Sequence, residues 1–294
     1  MNTYPYIRDG GFRHGFSIHG ASHEEGIVAR YPGESAGVPA DWVLAQWDVK
    51  RHPLTADTPR QPLSGGFCYQ TPSVSAAVLR EGGADRLRLE LRSSAEYEGR
   101  LRRPGEAWPH LLAEQAMDER LPGLWELSRL EYRADLRLEA FSGSVERPGY
   151  DPEIHAAQVV HFFTVQHMDS GEFIWFGIPF FDSRYPIHPG YIGMDGGKDD
   201  ASGKLIYTCP QTDFQPVPAS RGNWVSYRRD LLPLISRALA EARRQGLPFD
   251  GSLQRMRLTS HNLGWEMFAE HDGAFSMRNL SLTGFCQEAG GLHG

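Results

Sequence analysis

Residues 261–285, HNLGWEMFAEHDGAFSMRNLSLTGF, constrain the fold more than any other segment of the chain. Apolar and polar side chains alternate in two runs, as is typical of β-strands that are buried on one face. Asp272-Gly273 between the runs predicts a hairpin with a two-residue turn. The register of such a hairpin divides the strands into an apolar face of Leu263, Trp265, Leu280 and Leu282 and a polar face of Asn262, Glu266, Asn279 and Ser281.

A carboxylate beside amide side chains on a sheet suits sugar chemistry, so Glu266 is the first candidate catalytic residue. Asn262 and Asn279 are candidate substrate ligands, because they could orient Glu266 or bind sugar hydroxyls. Glycosidases use two carboxyl groups, ~5–5.5 Å apart in retaining enzymes and ~6.5–9.5 Å apart in inverting ones. A second acid must therefore lie on a neighbouring strand. The same pattern also fits an ordinary solvated strand glutamate.

The spacing of turn-forming residues is typical of an all-β protein, because 32 glycines and 20 prolines recur between short apolar or alternating runs. We expect a two-sheet jelly-roll sandwich, formed as a single domain over residues 1–294. One α-helix is predicted near 231–245, with Asp230 as its N-cap and Gly246 at its end. Further strands are predicted at 42–49, 86–92, within 124–141, at 157–168, 172–182 and 205–208.

The strands at 157–168 and 172–182 carry aromatic residues on both faces, which predicts a central position in a sheet. The second aromatic face either packs under a loop or lines a groove that stacks on sugar rings. His161 and His167 flank the first strand and are more typical of packing residues than of catalytic bases. Candidate substrate-binding residues in this region are Trp175, Gln158, Gln166, Asp182, Arg184 and Tyr185.

The succession of GEFIWFG at 171–177, the predicted helix at 230–246 and GWEMF at 264–268 resembles the family 12 endoglucanases. Those enzymes belong to the concanavalin A-like lectin/glucanase superfamily. The resemblance covers the last third of the chain and implies a curved jelly roll with two glutamates on its concave face. It implies Glu172 as the nucleophile and Glu266 as the acid/base. If Glu172 is not the partner, the alternatives are Glu126, Asp182 and Glu114, the last lying near Trp108 and His110.

Metal sites are only weakly indicated, and we expect no metal in the active site and no cofactor. His14, His19, His23 and Glu24 crowd one loop and could bind zinc, but their spacing matches no zinc motif. A structural calcium ion at Asp195, Asp199 and Asp200 is a further, weak possibility, because the calcium-loop pattern of EF-hands is absent. Phosphate-binding loops, dinucleotide fingerprints and the GxSxG elbow are also absent from the sequence.

Net charge and hydropathy limit the classes of molecule that this chain is expected to bind. A net charge of −7 with scattered basic residues argues against nucleic acid, and no apolar run is long enough for a membrane span. The N-terminus lacks a secretory signal, so we expect a cytoplasmic protein, or a secreted or periplasmic one if a leader was removed. Carbohydrate is the expected partner. The hypotheses are a glycoside hydrolase, a non-catalytic lectin-like module of the same fold, and a sugar-independent interaction protein.

Overall fold

The computed structural model describes residues 2–33, 37–143, 146–196, 201–214 and 221–286. The strands in these ranges are β1 Asn2–Pro5, β2 Gly15–His19, β3 Ile27–Pro32, β4 Trp42–Ala45, β5 Arg60–Leu63, β6 Gly66–Gln70, β7 Val74–Glu81, β8 Ala84–Arg92, β9 His110–Ala116, β10 Leu127–Gly143, β11 Ala157–His167, β12 Phe173–Asp182, β13 Tyr191–Met194, β14 Leu205–Thr208, β15 Val225–Asp230, β16 Met256–Met267 and β17 His271–Cys286. The helices are α1 Ser94–Tyr97, α2 Leu232–Arg244 and the 3-10 turns Leu124–Glu126 and Gln211–Asp213.

The described strands form two sheets that pack face to face, which confirms the predicted jelly-roll sandwich. One sheet has the order β15-β10-β17-β8-β7-β6-β5, with β1 added beside β17, and the other the order β13-β14-β12-β11-β16-β9-β4-β2-β3. Neighbours are antiparallel except for the parallel pairs β12/β14 and β2/β4. As predicted, β11 and β12 lie inside a sheet and pair with each other. Among the described residues, no helix combines the length and hydrophobicity that a membrane crossing requires.

Large aromatic side chains from both sheets meet in the core. The indole of Trp265 on β16 packs 5.8 Å from the ring of Phe275 on β17, and its Nε1 donates to the carbonyl of Leu89. Tyr132 on β10 packs edge-on against Phe163 on β11, with 6.1 Å between ring centroids. Each fully buried side chain of this size stabilises the fold by about 1.5–3 kcal/mol through the hydrophobic effect. The inward positions therefore fix which face of each strand is left for function.

The predicted terminal hairpin is wrong, although both of its strands exist and both have the predicted buried face. β16 pairs with β9 and β11 in one sheet, whereas β17 pairs with β8 and β10 in the other. Residues 268–270 carry the chain across the sandwich. Gly273 lies inside β17. The position requires glycine because a Cβ there would stand 2.7 Å from the indole of Trp265. Its sequence signal is thus one of close packing rather than of a turn.

Helix α2 begins at Leu232 and ends at Arg244, within one residue of the prediction at each end. The Asp230 carboxylate accepts a hydrogen bond from the Leu232 amide at 3.1 Å, and Gly246 follows the helix with a φ of 79°. Its buried residues are Leu232, Leu234, Ile235, Ala238, Leu239, Glu241 and Ala242. The helix packs against β12 and extends the same core.

A chain of polar side chains crosses the core between the sheets. The hydroxyl of Tyr132 lies 2.9 Å from Nδ1 of His161, and Nε2 of His161 lies 2.9 Å from Nδ1 of His261. Burial lowers the pKa of both histidines, that of His261 to about 3, so both rings are neutral at physiological pH. His161 is therefore a hydrogen-bonded packing residue, the more typical role of a histidine on such a strand.

Candidate functional site

The face of the nine-stranded sheet that points away from its partner forms the floor of a groove with a volume of about 930 Å³. Strand alternation sends Gln158, Asn262, Glu266 and Glu114 to this face, while their chain neighbours enter the core. One wall is formed by two loops, which contribute Arg102, Pro104, Gly105 and Trp108, and Glu153, Ile154 and Ala156. Other lining side chains are His23, Trp47, His110, Phe162, Trp175, Arg184, His188, Tyr191, Ile206 and Phe268.

A row of polar residues crosses the floor at one level of the sheet. Asp182 on β12 pairs with Gln158 on β11, Gln158 pairs with Glu266 on β16, and Glu266 pairs with His110 on β9. Neighbouring strands are ~4.8 Å apart, so the row spans about 14 Å across the sheet. That width can contact more than one sugar hydroxyl group at once.

Glu266 is the acid of this row that faces the groove. Its side chain is 18% exposed, and Oε2 lies 3.6 Å from Nε2 of His110. Nε2 of His110 is thus close enough for an ion pair when the ring is protonated, and His110 is itself buried. Gln158 on the other side carries an amide that can bind a sugar hydroxyl as donor or acceptor. Glu266 therefore points into a walled space and not into open solvent.

Glu114 is a second acid on the same floor. It lies on β9 opposite Asn262, and Val43 of β4 lies on its other side. Burial raises the pKa of Glu114 to about 7, although a hydrogen bond with Trp47 opposes the shift. A substantial fraction of this carboxyl group is therefore protonated near neutral pH, and it can donate a proton.

Tryptophans line the groove at separate places. Trp175 stands on β12, where its Nε1 donates to the hydroxyl of Ser202 at 3.0 Å. Trp108 lies in the opposite wall and packs 4.6 Å from the ring of Phe268. Trp47 packs against His19 and His23 at ring distances of 4.4 and 4.1 Å. Flat indole faces at the margins of a polar floor are suited to stacking on sugar rings.

The segment after β12 closes one end of the polar row. Asp182 is buried, accepts two hydrogen bonds from the guanidinium of Arg184, and lies 3.7 Å from Nε2 of His188. Burial lowers the pKa of His188 despite this carboxylate, so its ring is neutral. Arg184 and His188 line the groove, whereas Tyr185 is 39% exposed and packs on His188 from outside the lining. Asp182 thus orients its neighbours rather than facing a ligand.

The structure does not bring Glu172 to Glu266. Glu172 precedes β12 and forms an ion pair with Lys204 at 2.7 Å. It lies beyond the level of Gln166, which is eight residues along β11 from the partner of Glu266, or about 27 Å. Gln166 itself donates to the carbonyl of Gly171 in the turn. Neither residue lines the groove.

Two other candidates also lie away from the groove. Asn279 is on the outer face of the eight-stranded sheet, where its amide donates to Asp135 at 2.7 Å. The predicted hairpin would put Asn279 on the same face as Glu266, but β16 and β17 lie in different sheets. Glu126 accepts a hydrogen bond from the Gly123 amide and so stabilises a 3-10 turn.

The histidines of the N-terminal loop do not meet as a zinc site. His19 and His23 pack on Trp47, while His14 bonds the carboxylate of Asp41 at 2.7 Å. Asp9, His14 and Asp41 do approach one another within 4.8 Å. Asp9 also accepts the backbone amides of the turn, and Asp41 accepts a hydrogen bond from Arg8.

The weakly indicated calcium loop can be followed only in part. Asp195 accepts hydrogen bonds from the amide and the hydroxyl of Ser202 at 2.8 and 2.7 Å. Asp199 and Asp200 lie outside the described residues. Asp195 lines the groove next to Trp175 through this turn.

Comparison with solved structures finds glycosidases of low similarity. One is a family 11 xylanase from Neocallimastix patriciarum, 9% identical with a TM-score of 0.37, covering 77% of this chain and 94% of that one. Another is the xyloglucanase domain of NopAA, a type three effector from Sinorhizobium fredii, in complex with cellobiose; it is 11% identical with a TM-score of 0.37 and covers 77% and 96%. No protein-family model and no curated protein matches the sequence. The function must be argued from the groove itself.

Sequence reasoning missed several groove residues. The segment HLLAEQA at 110–116 shows no regular alternation of apolar and polar residues, so the sequence predicts no strand there, although it forms β9 with His110 and Glu114. On β9, Leu111, Ala113 and Gln115 point inward while Leu112 and Glu114 face the groove, so apolar and polar residues occur on both faces and hide the strand period. Arg102 and Trp47 acquire their positions only through the fold, because both lie in loops; Trp47 follows β4, which ends at Ala45 and not at the predicted residue 49.

Proposed function

We propose that the protein binds a poly- or oligosaccharide in this groove and hydrolyses it with Glu114 and Glu266. The observation that carries the proposal is the presence of both carboxyl groups on the floor of one tryptophan-lined groove. Gln158 of the polar row and Asn262 beside Glu114 supply ligands for sugar hydroxyls, and Trp175 supplies a stacking surface. Glu172, which the family 12 resemblance implies as nucleophile, has no part in the proposed mechanism.

The different environments of the two acids suggest their roles. Glu114, with a pKa of about 7, donates its proton to the glycosidic oxygen as that bond breaks. Glu266 accepts a proton from water as the water attacks the anomeric carbon. His110, 3.6 Å from Glu266, orients that carboxylate and stabilises its charge when the ring is protonated.

The spacing of the acids favours inversion of configuration. Asn262, the partner of Glu114, lies four residues from Glu266, or about 14 Å along the strand between backbone positions. The two side chains would have to lean toward each other to reach the ~6.5–9.5 Å of inverting enzymes, and the ~5–5.5 Å of retaining ones would require a still closer approach. NMR observation of the anomer released first tests this point: inversion is expected, and retention contradicts it.

A lectin-like binding module is the second candidate. It is favoured by the same wide backbone spacing and by the position of Glu172 outside the groove. Such a module would use the tryptophans and the polar row for recognition and would need no proton donor. Fold alone cannot decide between the two functions.

The deciding experiment compares Glu266→Gln and Glu114→Gln with the parent on a panel of β-glucans, xylans and other polysaccharides. Loss of one acid or base is expected to reduce the release of reducing ends by about 10²–10⁴-fold, with binding retained. Glu172→Gln is the matched control, since it removes the same charge outside the groove, and its activity is expected to equal that of the parent. A parent that binds but releases no ends supports the lectin, and a parent that binds no glycan refutes both functions.

A further inference from the structure

Arg102 is a buried cation in the wall of the groove. It is 7% exposed, and its guanidinium lies 5.0 Å from the ring centroid of Trp108. Nε donates to the carbonyls of Ile154 and Phe268, Nη2 to that of Ile154, and Nη1 to that of Glu106. These bonds join three loops at the wall and fix the guanidinium in place.

The hydrogen bonds leave part of the guanidinium unused. A guanidinium carries five N–H groups, and the bonds above engage one on each of its three nitrogens. Two N–H groups, one on Nη1 and one on Nη2, remain for a ligand. Two neighbouring N–H groups of an arginine match the two oxygens of a carboxylate.

Among the described residues, no carboxylate forms a hydrogen bond with Arg102. All of its protein acceptors are carbonyl oxygens, and the carboxylate of nearby Glu106 binds Arg100 and the amide of Arg103. Burial lowers the pKa of Arg102, although Tyr97 and Glu106 oppose the shift. A buried charge without a counter-charge is costly, and a bound anion would offset that cost.

The position of this cation relates it to the proposed glycan. The ring of Trp108, which Arg102 faces, lies 5.7 Å from the ring of His110, and His110 adjoins Glu266. We infer that Arg102 binds the carboxylate of a uronate residue, so that the groove selects an acidic polysaccharide over a neutral one. This inference rests on the proposed glycan-binding function of the groove.

The test needs no change to the protein. Binding of the full chain is measured by calorimetry for polygalacturonate, alginate and glucuronoxylan fragments, each beside the same fragment with its carboxyl groups reduced to primary alcohols. A charge-assisted contact predicts that one acidic fragment binds roughly 10- to 100-fold tighter than its reduced form. Equal binding of every acidic and reduced pair overturns the inference but leaves the proposed function standing. Binding of no glycan, acidic or neutral, overturns both.

Variants then assign the preference to one residue. Arg102→Gln should reduce the preference for the acidic form to about one, whereas Arg103→Gln, a neighbouring exposed arginine that does not line the groove, should retain it. Arg102→Lys keeps the charge but loses the planar pair of donors, so an intermediate preference is expected. A sulfated neutral glycan that binds as tightly as the uronate form would contradict the carboxylate assignment. If Arg102→Gln fails to fold, Arg102→Lys makes the assignment, since a preference as strong as that of the parent would contradict binding by a planar pair of donors.

Discussion

The outer faces of the two sheets use their charged side chains differently. On the eight-stranded sheet, Glu139 bonds Arg86, Arg88, Arg137 and Ser276, so its charge is compensated several times. Burial alone would raise the pKa of Glu139, but these partners outweigh it and lower the pKa to about 2. On the nine-stranded sheet, burial raises the pKa of Glu114 to about 7.

The difference teaches how to distinguish a structural charge from a functional one. A partly buried carboxylate that is surrounded by cations stabilises the fold and has no capacity left for a ligand. A carboxyl group that is desolvated without a cation is a cost to the fold, and it is ready to donate a proton. The same contrast separates Arg102 in the groove wall from Arg137 on the opposite face, which bonds Glu139 and lies 4.5 Å from the ring of Trp224.

The largest expected effect is on the outer face of the eight-stranded sheet. Glu139→Gln leaves three arginines without their shared counter-charge and should lower the free energy of unfolding by about 2–3 kcal/mol at pH 7. Because the folded pKa is about 2 and the ordinary value 4.5, this contribution is present above pH 4.5 and is lost as pH falls toward 2. Urea unfolding at several pH values measures it. Unchanged stability would show that the network is merely surface charge.

Glu114→Gln should have the opposite sign. The folded pKa of about 7 exceeds the ordinary value of 4.5, so the folded state holds the proton more tightly and stability falls as pH rises between these values. Replacing the acid with a neutral amide should therefore stabilise the fold above pH 7 by about 1–2 kcal/mol and abolish that pH dependence. Thermal unfolding of both proteins at pH 5 and pH 8 tests this. A variant that is less stable than the parent at pH 8 would contradict the assignment.

The strands could be predicted from sequence because side-chain alternation reports burial directly, as with Leu263 and Trp265. The pairing of the strands could not be predicted. Asp272-Gly273 resembles a local turn signal, but the contact that explains Gly273 is made by Trp265 on a strand of the other sheet. The face on which Glu266 lies could be predicted because apolar and polar residues alternate clearly along its strand. The pairing of Glu172 with Glu266 is implied only by the short motif around Glu172. Such a motif carries no information on the distance between the ends of two strands.

Removing one stacking surface should give a smaller effect than the charge substitutions. Trp175→Ala is expected to weaken glycan binding by about 1 kcal/mol, since the indole face lines the groove and its loss removes one aromatic contact. Trp224→Ala is the matched control, because that indole packs on Arg137 and Arg278 on the opposite sheet. Calorimetric titration with an oligosaccharide that the parent protein binds compares the affinities of the two variants. Equal loss in both variants would indicate a general effect on folding.

The smallest effect comes from the two asparagines that the hairpin prediction placed on one face. Asn262 lies on the groove floor and can offer its amide to a sugar hydroxyl, so Asn262→Ala should weaken binding by about 0.5 kcal/mol. Asn279 has a φ of 54°, so glycine is the substitution that removes its side chain without backbone strain. Asn279 lies on the eight-stranded sheet, away from the groove, and its amide bonds Asp135 there. Asn279→Gly should therefore leave glycan affinity unchanged. Weakened binding in Asn279→Gly, with an unchanged melting temperature, would contradict the assignment of all glycan contacts to the nine-stranded sheet.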